Sequence, residues 1–130
     1  MSGTALLRDP IKYVRDRAKA RYKKGAHCEI CGTTENLDFH HYYTMTPLFK
    51  KWCKDKGYVV KIVDDILAIR DEFISDEEDK VYNQTATLCH EHHMRLHSVY
   101  GKDPALTTAE KQRNWVKIQK EKHEARKLVS

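Results

Sequence analysis

Histidine and cysteine are concentrated in two short parts of this chain. Residues 87–97 read TLCHEHHMRLH, so four of the eight histidines and one of the four cysteines lie within about three helical turns. Upstream, CEIC at 28–31 supplies two cysteines spaced CxxC, and LDFHH at 37–41 supplies two adjacent histidines. Thiolates and imidazoles are the side chains that bind zinc and other transition metals, so these patterns predict metal chemistry.

Four of these residues have the spacing of a closed zinc site. Cys28 and Cys31 form one half-site, and Cys89 with His92 forms a second half-site of the form CxxH. Together they predict a tetrahedral zinc ion with three cysteine ligands and one histidine ligand, here called the zinc knuckle. Two disulfides are the alternative, but the nearby histidines favour metal binding in a reducing compartment. Cys53 is then expected to be a helix-face residue.

A second metal site is predicted on another face of the same helix. His93 and His97 are four residues apart, so their rings leave one helical face together, whereas His90 and His92 point elsewhere. This pair lacks a third ligand, which the histidine pair at 40–41 offers. A zincin protease is excluded because the sequence contains no HExxH motif.

A strand and a helix are predicted to carry the histidines. LDFHHYY at 37–43 has the composition of a strand, and HEHHMRLHSVY at 90–100 is predicted to be a helix that Gly101 stops. The run YVVKIV at 58–63 is either a strand or the lead-in to a helix. A mixed α and β fold with more helix than strand is expected.

Four further helices are predicted from start signals and apolar spacing. Pro10 predicts a helix over about 10–24, and Thr46-Pro47 predicts one over about 46–56. Isoleucines at helical spacing predict a helix over about 64–79, and a Thr107–Glu110 capping box predicts the last helix over about 107–128. Trp115 and Ile118 are expected on the inward face of the last helix. The acidic helix at 64–79 is expected to face away from nucleic acid, and it either pairs with the basic terminal helices or binds another protein.

Charge is distributed unevenly along the chain. Residues 1–24 carry eight Lys and Arg against two Asp and Glu, residues 101–130 carry eight against four, and residues 25–100 carry eight against thirteen. Basic ends indicate a polyanion partner, with DNA favoured over RNA, and solvated helix faces are the alternative. The apolar runs are too short for a membrane span or a signal peptide, so a cytoplasmic protein is expected.

In chain order, CEIC, LDFHH and TLCHEHHMRLH resemble the HNH endonuclease family over about residues 28–97. The resemblance implies an α+β fold with a ββα-metal (His-Me finger) nuclease core, a structural zinc knuckle, N- and C-terminal helices and a helical insertion at about 46–80. The tail GKDPALTTAEKQRNW is similar to small phage-encoded members. One nuclease domain is expected over residues 1–130, made of a basic helix at 1–24, the knuckle and core at 25–100, and a C-terminal helix at 101–130.

The resemblance also implies a role for each histidine. His41 corresponds to the general base that activates water, and His40 to the first metal ligand, a position where many members carry Asp. His93 and His97 correspond to the helix ligands, so one divalent cation (Mg²⁺, Mn²⁺, Ni²⁺ or Zn²⁺) is expected on three histidines. Asp38 is expected to have a strand-face or turn role. The knuckle is all cysteine in most zinc-bearing members, so a histidine ligand is a departure.

The asparagine that orients the general base in this family has two candidate counterparts. Gln84 stands at the usual position, five residues before Cys89, and Asn83 precedes it. Either carboxamide can accept a hydrogen bond from one imidazole nitrogen and leave the other as the base. About 47 residues separate His41 from Cys89, more than in many compact members.

The implied function is metal-dependent hydrolysis of DNA phosphodiester bonds, leaving 5′-phosphate and 3′-hydroxyl ends. The alternative is a non-catalytic, zinc-stabilised nucleic-acid-binding protein. A single nuclease unit has one active site, so cleavage of both strands would need a homodimer or sequential nicks. The basic residues expected to contact DNA phosphates are Arg15, Lys19, Arg95, Arg113 and Lys117.

Overall fold

The part of the chain that a computed structural model describes, residues 11–129 with side chains through Leu128, is an α+β fold. This agrees with the predicted class. None of the helices within that range is long and apolar enough to cross a bilayer. The regular elements are α1 (Ile11–Ala18), β1 (Leu37–His41), α2 (Met45–Lys56), α3 (Val63–Asp76), a π-helical segment (Asp79–Asn83), β2 (Thr85–Cys89), α4 (His90–Tyr100) and α5 (Ala109–Val129).

The two strands pair antiparallel over their whole length, with His41 at the end of β1 opposite Thr85 at the start of β2. Successive side chains leave a strand on opposite faces. Asp38 and His40 therefore project from one face of β1, and Phe39 and His41 project from the other. Both α2 and α3 lie in the connection between the strands, as the predicted helical insertion requires.

Two hydrophobic clusters fill the interior, and Tyr43 packs against both. The helical cluster joins α1, α2, α3 and the π-helical segment through Ile11, Val14, Ala18, Met45, Leu48, Phe49, Trp52, Cys53, Ile66, Phe73, Ile74 and Val81. The sheet cluster joins the CEIC turn, β2, α4 and α5 through Cys28, Ile30, Tyr42, Ala86, Leu88, Cys89, Leu96, Ala109 and Val116. Cys53 is thus a buried helix-face residue, as predicted.

The acidic helix packs on the basic one. Arg17 Nε lies 2.9 Å from Asp71 Oδ1, and Arg21 Nη2 lies 3.1 Å from Glu78 Oε1. Of the two expectations for the acidic residues, pairing with the N-terminal basic segment is confirmed by these contacts. All four side chains are more than half exposed, so the ion pairs add little to the free energy of unfolding.

The first helix ends earlier than predicted. The pattern predicts a helix to Lys24, but α1 ends at Ala18 and a single 3-10 turn follows it. Tyr22 is extended, with φ −67° and ψ 134°, and its ring stacks on Phe39 with the centroids 4.5 Å apart. This aromatic contact with β1 draws the chain away from the helix axis. The predicted start at Asp9-Pro10 lies outside the described residues.

The ends of α2 and α3 also differ from the predicted bounds. Gly57 closes α2 as expected, because its φ of 77° is a left-handed conformation that glycine adopts without strain. Residues 58–61 lead into α3 rather than form a strand, since Asp65 Oδ2 accepts hydrogen bonds from the backbone N–H of Lys61 and Ile62 at 2.8 and 3.0 Å. The predicted helix to Asp79 is interrupted after Asp76.

The buried face of α5 is not the predicted one. Gln112 and Val116 are buried, with exposed fractions of 0% and 5%, and Trp115 packs at the edge of the sheet cluster. Ile118 is 38% exposed, so its predicted inward position is wrong. Two residues correspond to about 200° of helical rotation, which turns position 118 away from the face that carries Val116. The helix begins at Ala109, and the predicted start at Thr107 lies instead in a 3-10 turn over Leu106–Thr108.

Phe73 tests the helical cluster. Its side chain is 0% exposed, and its ring meets Phe49 and Trp52 edge-to-face at 5.1 and 5.4 Å. Phe73→Ala is expected to lower the free energy of unfolding by about 3–5 kcal/mol, because it leaves a cavity among rigid aromatic rings. Urea denaturation measures the loss. Leu67→Ala, on an exposed side of the same helix, is the control and should cost less than about 0.5 kcal/mol.

Candidate active site and metal sites

Three histidines from β1 and α4 each bring one ring nitrogen to a common point. His40 Nδ1 lies 3.1 Å from His93 Nε2, which in turn lies 3.1 Å from His97 Nε2. All three candidate ligand atoms are within 4.8 Å of one another. The face of β1 that carries His40 is turned to α4, and the four-residue spacing stacks the other two rings. The three residues predicted to share a divalent ion are therefore brought together.

The outer nitrogen of each of these rings faces an oxygen acceptor. The contacts are 2.8–3.0 Å long and join His40 Nε2 to Gln112 Oε1, His93 Nδ1 to Asp38 Oδ2, and His97 Nδ1 to the Gly101 carbonyl oxygen. Each oxygen accepts an N–H, so the single proton of each neutral ring is held on its outer nitrogen. The three lone pairs then converge, and a bound cation is the partner that such an arrangement fits.

The pKa values agree with neutral imidazole ligands. Burial and the neighbouring His93 and His97 lower the pKa of His40 to about 3, although the Gln112 hydrogen bond opposes them. Burial also lowers the pKa of His93. A histidine must be unprotonated to bind a metal, and these two rings are unprotonated at neutral pH.

Asp38 holds the ring of His93 from behind. Its Oδ2 lies 3.0 Å from the Nδ1 atoms of both His90 and His93. Burial acts to raise the pKa of Asp38, but the hydrogen bonds from these two histidines outweigh it and the pKa is lowered. Sequence reasoning placed Asp38 on the strand face but missed this contact. The sequence did contain a signal for this contact: Asp38 and His40 are two residues apart on the strand, so their side chains lie on the same face.

His41 lies on the opposite face of β1. Its Nε2 donates to the Val81 carbonyl oxygen at 2.9 Å, which leaves Nδ1 without a proton in the neutral ring. Val81 stands two residues before the end of the π-helical segment, where helix carbonyls lack partners of their own. Burial and the positive charge of Arg15 lower the pKa of His41 to about 4, although the hydrogen bond to Val81 acts in the opposite direction.

Gln84 and Asn83 lie away from the ring that they were predicted to orient. Gln84 Nε2 and Asn83 Nδ2 donate instead to the two carboxylate oxygens of Asp79, at 2.9 and 3.1 Å. The position next to His41 is taken by a backbone carbonyl, because the π-helical segment turns Val81 toward β1. The hydrogen bond to His41 therefore comes from a main-chain carbonyl and not from either carboxamide.

The histidines open onto one cleft of about 220 Å³. Its walls include the basic side chains of Arg15 on α1 and Lys102 just after α4. Positive charge beside converging imidazoles suits a bound phosphate group. The other residues that line the cleft are Phe39, His40, His41, Thr44, Met45, Thr46, His93, His97 and Asp103.

Of the five residues predicted to contact DNA, Arg15 is in the cleft wall and three others are on exposed helix surface. Lys19 Nζ lies 3.9 Å from Asp16 Oδ1, three residues earlier, and Arg95 Nη2 lies 3.5 Å from Glu91 Oε1 within α4. Lys117 is exposed on α5. These contacts are weak surface ion pairs that a phosphate could replace.

Arg113, the fifth, has a different setting. Its guanidinium lies over the Tyr42 ring at 4.7 Å, contacts Gln84 Oε1 and lies 3.6 Å from Glu110 Oε2. It joins α5 to the end of the π-helical segment. This internal contact set differs from the predicted phosphate contact, because the half-buried side chain already has acceptors.

The four predicted zinc ligands also meet. Cys31 Sγ lies 3.9 Å from Cys89 Sγ, and His92 Nδ1 lies 3.2 Å from Cys89 Sγ and 3.9 Å from Cys28 Sγ. All four donor atoms are within 4.8 Å of one another. Sulfur ligands at 2.3 Å from a tetrahedral zinc ion would be about 3.8 Å apart, so the donor set fits zinc.

The pKa values of two of these thiols are shifted in opposite directions. Burial and the neighbouring Cys28 raise the pKa of Cys89 to about 11. Burial also acts to raise the pKa of Cys28, but hydrogen bonds from the backbone N–H groups of Cys31, Cys89 and Ile30 bring it below its ordinary value. A thiolate becomes stable beside other sulfur atoms when a metal ion neutralises it.

A family model described as the nicking endonuclease family, that of phage T5, matches residues 2–126. The match covers nearly the whole sequence, so the chain belongs to this phage nicking endonuclease family. Membership makes it a nuclease with DNA as substrate, which agrees with the endonuclease activity and the phage origin predicted from the sequence. No solved structure matches the chain.

Zinc content tests the knuckle. Freshly purified protein is expected to contain tightly held zinc, and Cys28→Ser is expected to lose it together with a large part of the melting temperature, because zinc binding is part of the folding free energy. Elemental analysis and thermal denaturation measure both. Cys53→Ala is the control, since that thiol lies in the helical cluster and should leave the zinc content unchanged. Zinc-free wild type would contradict the assignment.

Proposed function

We propose that this chain is a metal-dependent endonuclease of the HNH type, and that β1, β2 and α4 form its ββα-metal core. The observation that carries the proposal is the set of three outward hydrogen bonds on His40, His93 and His97, which turn three lone pairs toward one point. A binding module stabilised by zinc alone has no need of this second convergent set. The non-catalytic alternative is therefore disfavoured.

In this proposal His41 is the general base. Its Nε2–H is held by the Val81 carbonyl, so Nδ1 is the atom that takes a proton from the attacking water. The ring is neutral before reaction because its pKa is about 4. Contact with the Tyr22 and Phe39 rings, at centroid distances of 5.2 Å each, holds it in place.

A divalent ion on His40, His93 and His97 would neutralise charge on the scissile phosphate and on the departing 3′ oxygen. Three imidazole donors suit Ni²⁺ or Zn²⁺ better than Mg²⁺, which prefers oxygen ligands, and Mn²⁺ is intermediate. Asp38, Gln112 and Gly101 orient the three rings. We assign the structural zinc ion to the knuckle, whose ligand His92 directly precedes His93.

The proposed substrate is duplex DNA cut in one strand. One cleft holds one general base and one set of metal ligands, so a single chain breaks one phosphodiester bond per binding event and leaves 5′-phosphate and 3′-hydroxyl ends. Cleavage of both strands would need a homodimer or a second, separate nicking event. Arg15 and Lys102 at the cleft are proposed to contact the backbone next to the cut.

Replacing the base should remove cleavage but not binding. His41→Ala is expected to lower the rate of plasmid nicking by about 10²- to 10⁴-fold, because no other group then accepts the water proton. Conversion of supercoiled to open-circular plasmid, with each divalent ion and with EDTA, measures the rate. His27→Ala removes an exposed histidine and serves as the control. Cleavage by His41→Ala at the wild-type rate would refute the mechanism.

The cleft cations should affect DNA affinity. Arg15→Gln and Lys102→Gln are each expected to weaken binding to all duplex sequences alike, because phosphate contacts carry no base information. Each lost contact should flatten the slope of log affinity against log salt by roughly 0.9. Arg17→Gln is the matched control, because Arg17 pairs with Asp71 in the groove between α1 and α3. Equal salt slopes in all four proteins would contradict phosphate contact at the cleft.

A further inference from the structure

Gln112 is a buried polar residue of α5 that contacts a proposed metal ligand. Its side chain is 0% exposed, and its Oε1 lies 2.8 Å from His40 Nε2. A buried amide is costly unless its donors and acceptors have partners. The atoms around Gln112 therefore determine which way its amide group points.

Two oxygen atoms fix that orientation. Gln112 Nε2 donates to the Tyr42 carbonyl at 3.3 Å and to the Thr108 hydroxyl at 2.9 Å. Thr108 Oγ1 donates its own proton to the Ala105 carbonyl at 2.6 Å, so toward Gln112 it can only accept. Both neighbours require an N–H, and the amide oxygen is left to face His40.

The amide orientation in turn fixes the proton on His40. An amide oxygen only accepts, so His40 Nε2 must carry the hydrogen. A neutral imidazole has one such hydrogen, so His40 Nδ1 presents a lone pair to the point that His93 Nε2 also faces, 3.1 Å away. The chain of hydrogen bonds from the Ala105 carbonyl to His40 therefore prepares one ligand atom.

We propose that Gln112 is a positioning residue of the nuclease, which holds His40 as the Nε2–H tautomer with Nδ1 turned into the metal site. The inference rests on the proposed function, in which His40 binds the divalent ion. It makes α5 part of the active site, whereas the sequence predicted only packing and DNA binding for this helix. Gln112 touches no substrate and acts through His40 alone.

Two variants separate positioning from packing. Gln112→Leu keeps a similar volume but removes the acceptor, and Gln112→Glu keeps an acceptor oxygen next to His40. Gln119→Leu is the control, because it changes the same residue type seven positions further along the same helix. Long-range ¹H–¹⁵N correlation spectra of protein that holds zinc in the knuckle alone report the tautomer of His40, and calorimetric titration with Ni²⁺ reports the affinity of the histidine site.

The wild type and Gln119→Leu are expected to show the Nε2–H tautomer of His40. Gln112→Leu should show a mixture of tautomers and bind Ni²⁺ about 10- to 100-fold more weakly, as expected for loss of an orienting partner, whereas Gln112→Glu should keep the tautomer and most of the affinity. An Nδ1–H tautomer in the wild type would overturn the proposal. Wild-type tautomer and affinity in Gln112→Leu would also overturn it.

If Gln112→Leu does not fold, the wild-type spectrum still decides, because an Nδ1–H tautomer of His40 contradicts the proposed role of Gln112. Neither measurement involves DNA. A wild type that nicks plasmid and binds Ni²⁺, but fails the tautomer test, would overturn the role of Gln112 alone. A wild type that neither nicks nor binds Ni²⁺ would overturn the proposed function itself.

Discussion

Adjacent side chains of a β-strand project from opposite faces, and the arrangement of the site depends on this constraint at His40 and His41. One ring turns to α4 and α5, and the other turns to the π-helical segment and Tyr22. Each therefore receives its orienting hydrogen bond from a different part of the chain. The sheet cluster lies on the side of His40 and the helical cluster lies on the side of His41. Both clusters meet at Tyr43, two residues after His41.

The long connection between the strands therefore supports the side of β1 that carries His41. Its helices bury an aromatic group around Phe73 and Trp52, and that packing holds the π-helical segment against β1 through Val81. Irregular helical turns cost stability and are common at functional sites. Here the irregular turn delivers a backbone carbonyl to His41, and the buried Val81 side chain anchors the turn that carries this carbonyl.

Residue spacing predicted which cysteine and histidine side chains come together in the two clusters, because these residues lie on elements with fixed periods. The spacing of His93 and His97, the CxxC turn and the strand at LDFHH all depend on local geometry. The partners of those ligands could not be predicted in the same way. Gln112 and Val81 reach the site through tertiary packing, and a carbonyl oxygen has no signature in a sequence. The early end of α1 has the same origin, since a contact between Tyr22 and Phe39 outweighs a local helical preference.

The two ligand sets share α4 on consecutive residues, His92 and His93, which leave the helix about 100° apart. One inserted or deleted residue between Cys89 and His97 would rotate part of the helix by that angle and separate at least one ligand from its set. The connection between the strands, in contrast, can vary in length wherever it lies outside the packed helices, because loop closure depends only weakly on length. Changes in length are thus better tolerated in the connection between the strands, whereas the stretch from Cys89 to His97 requires a fixed register.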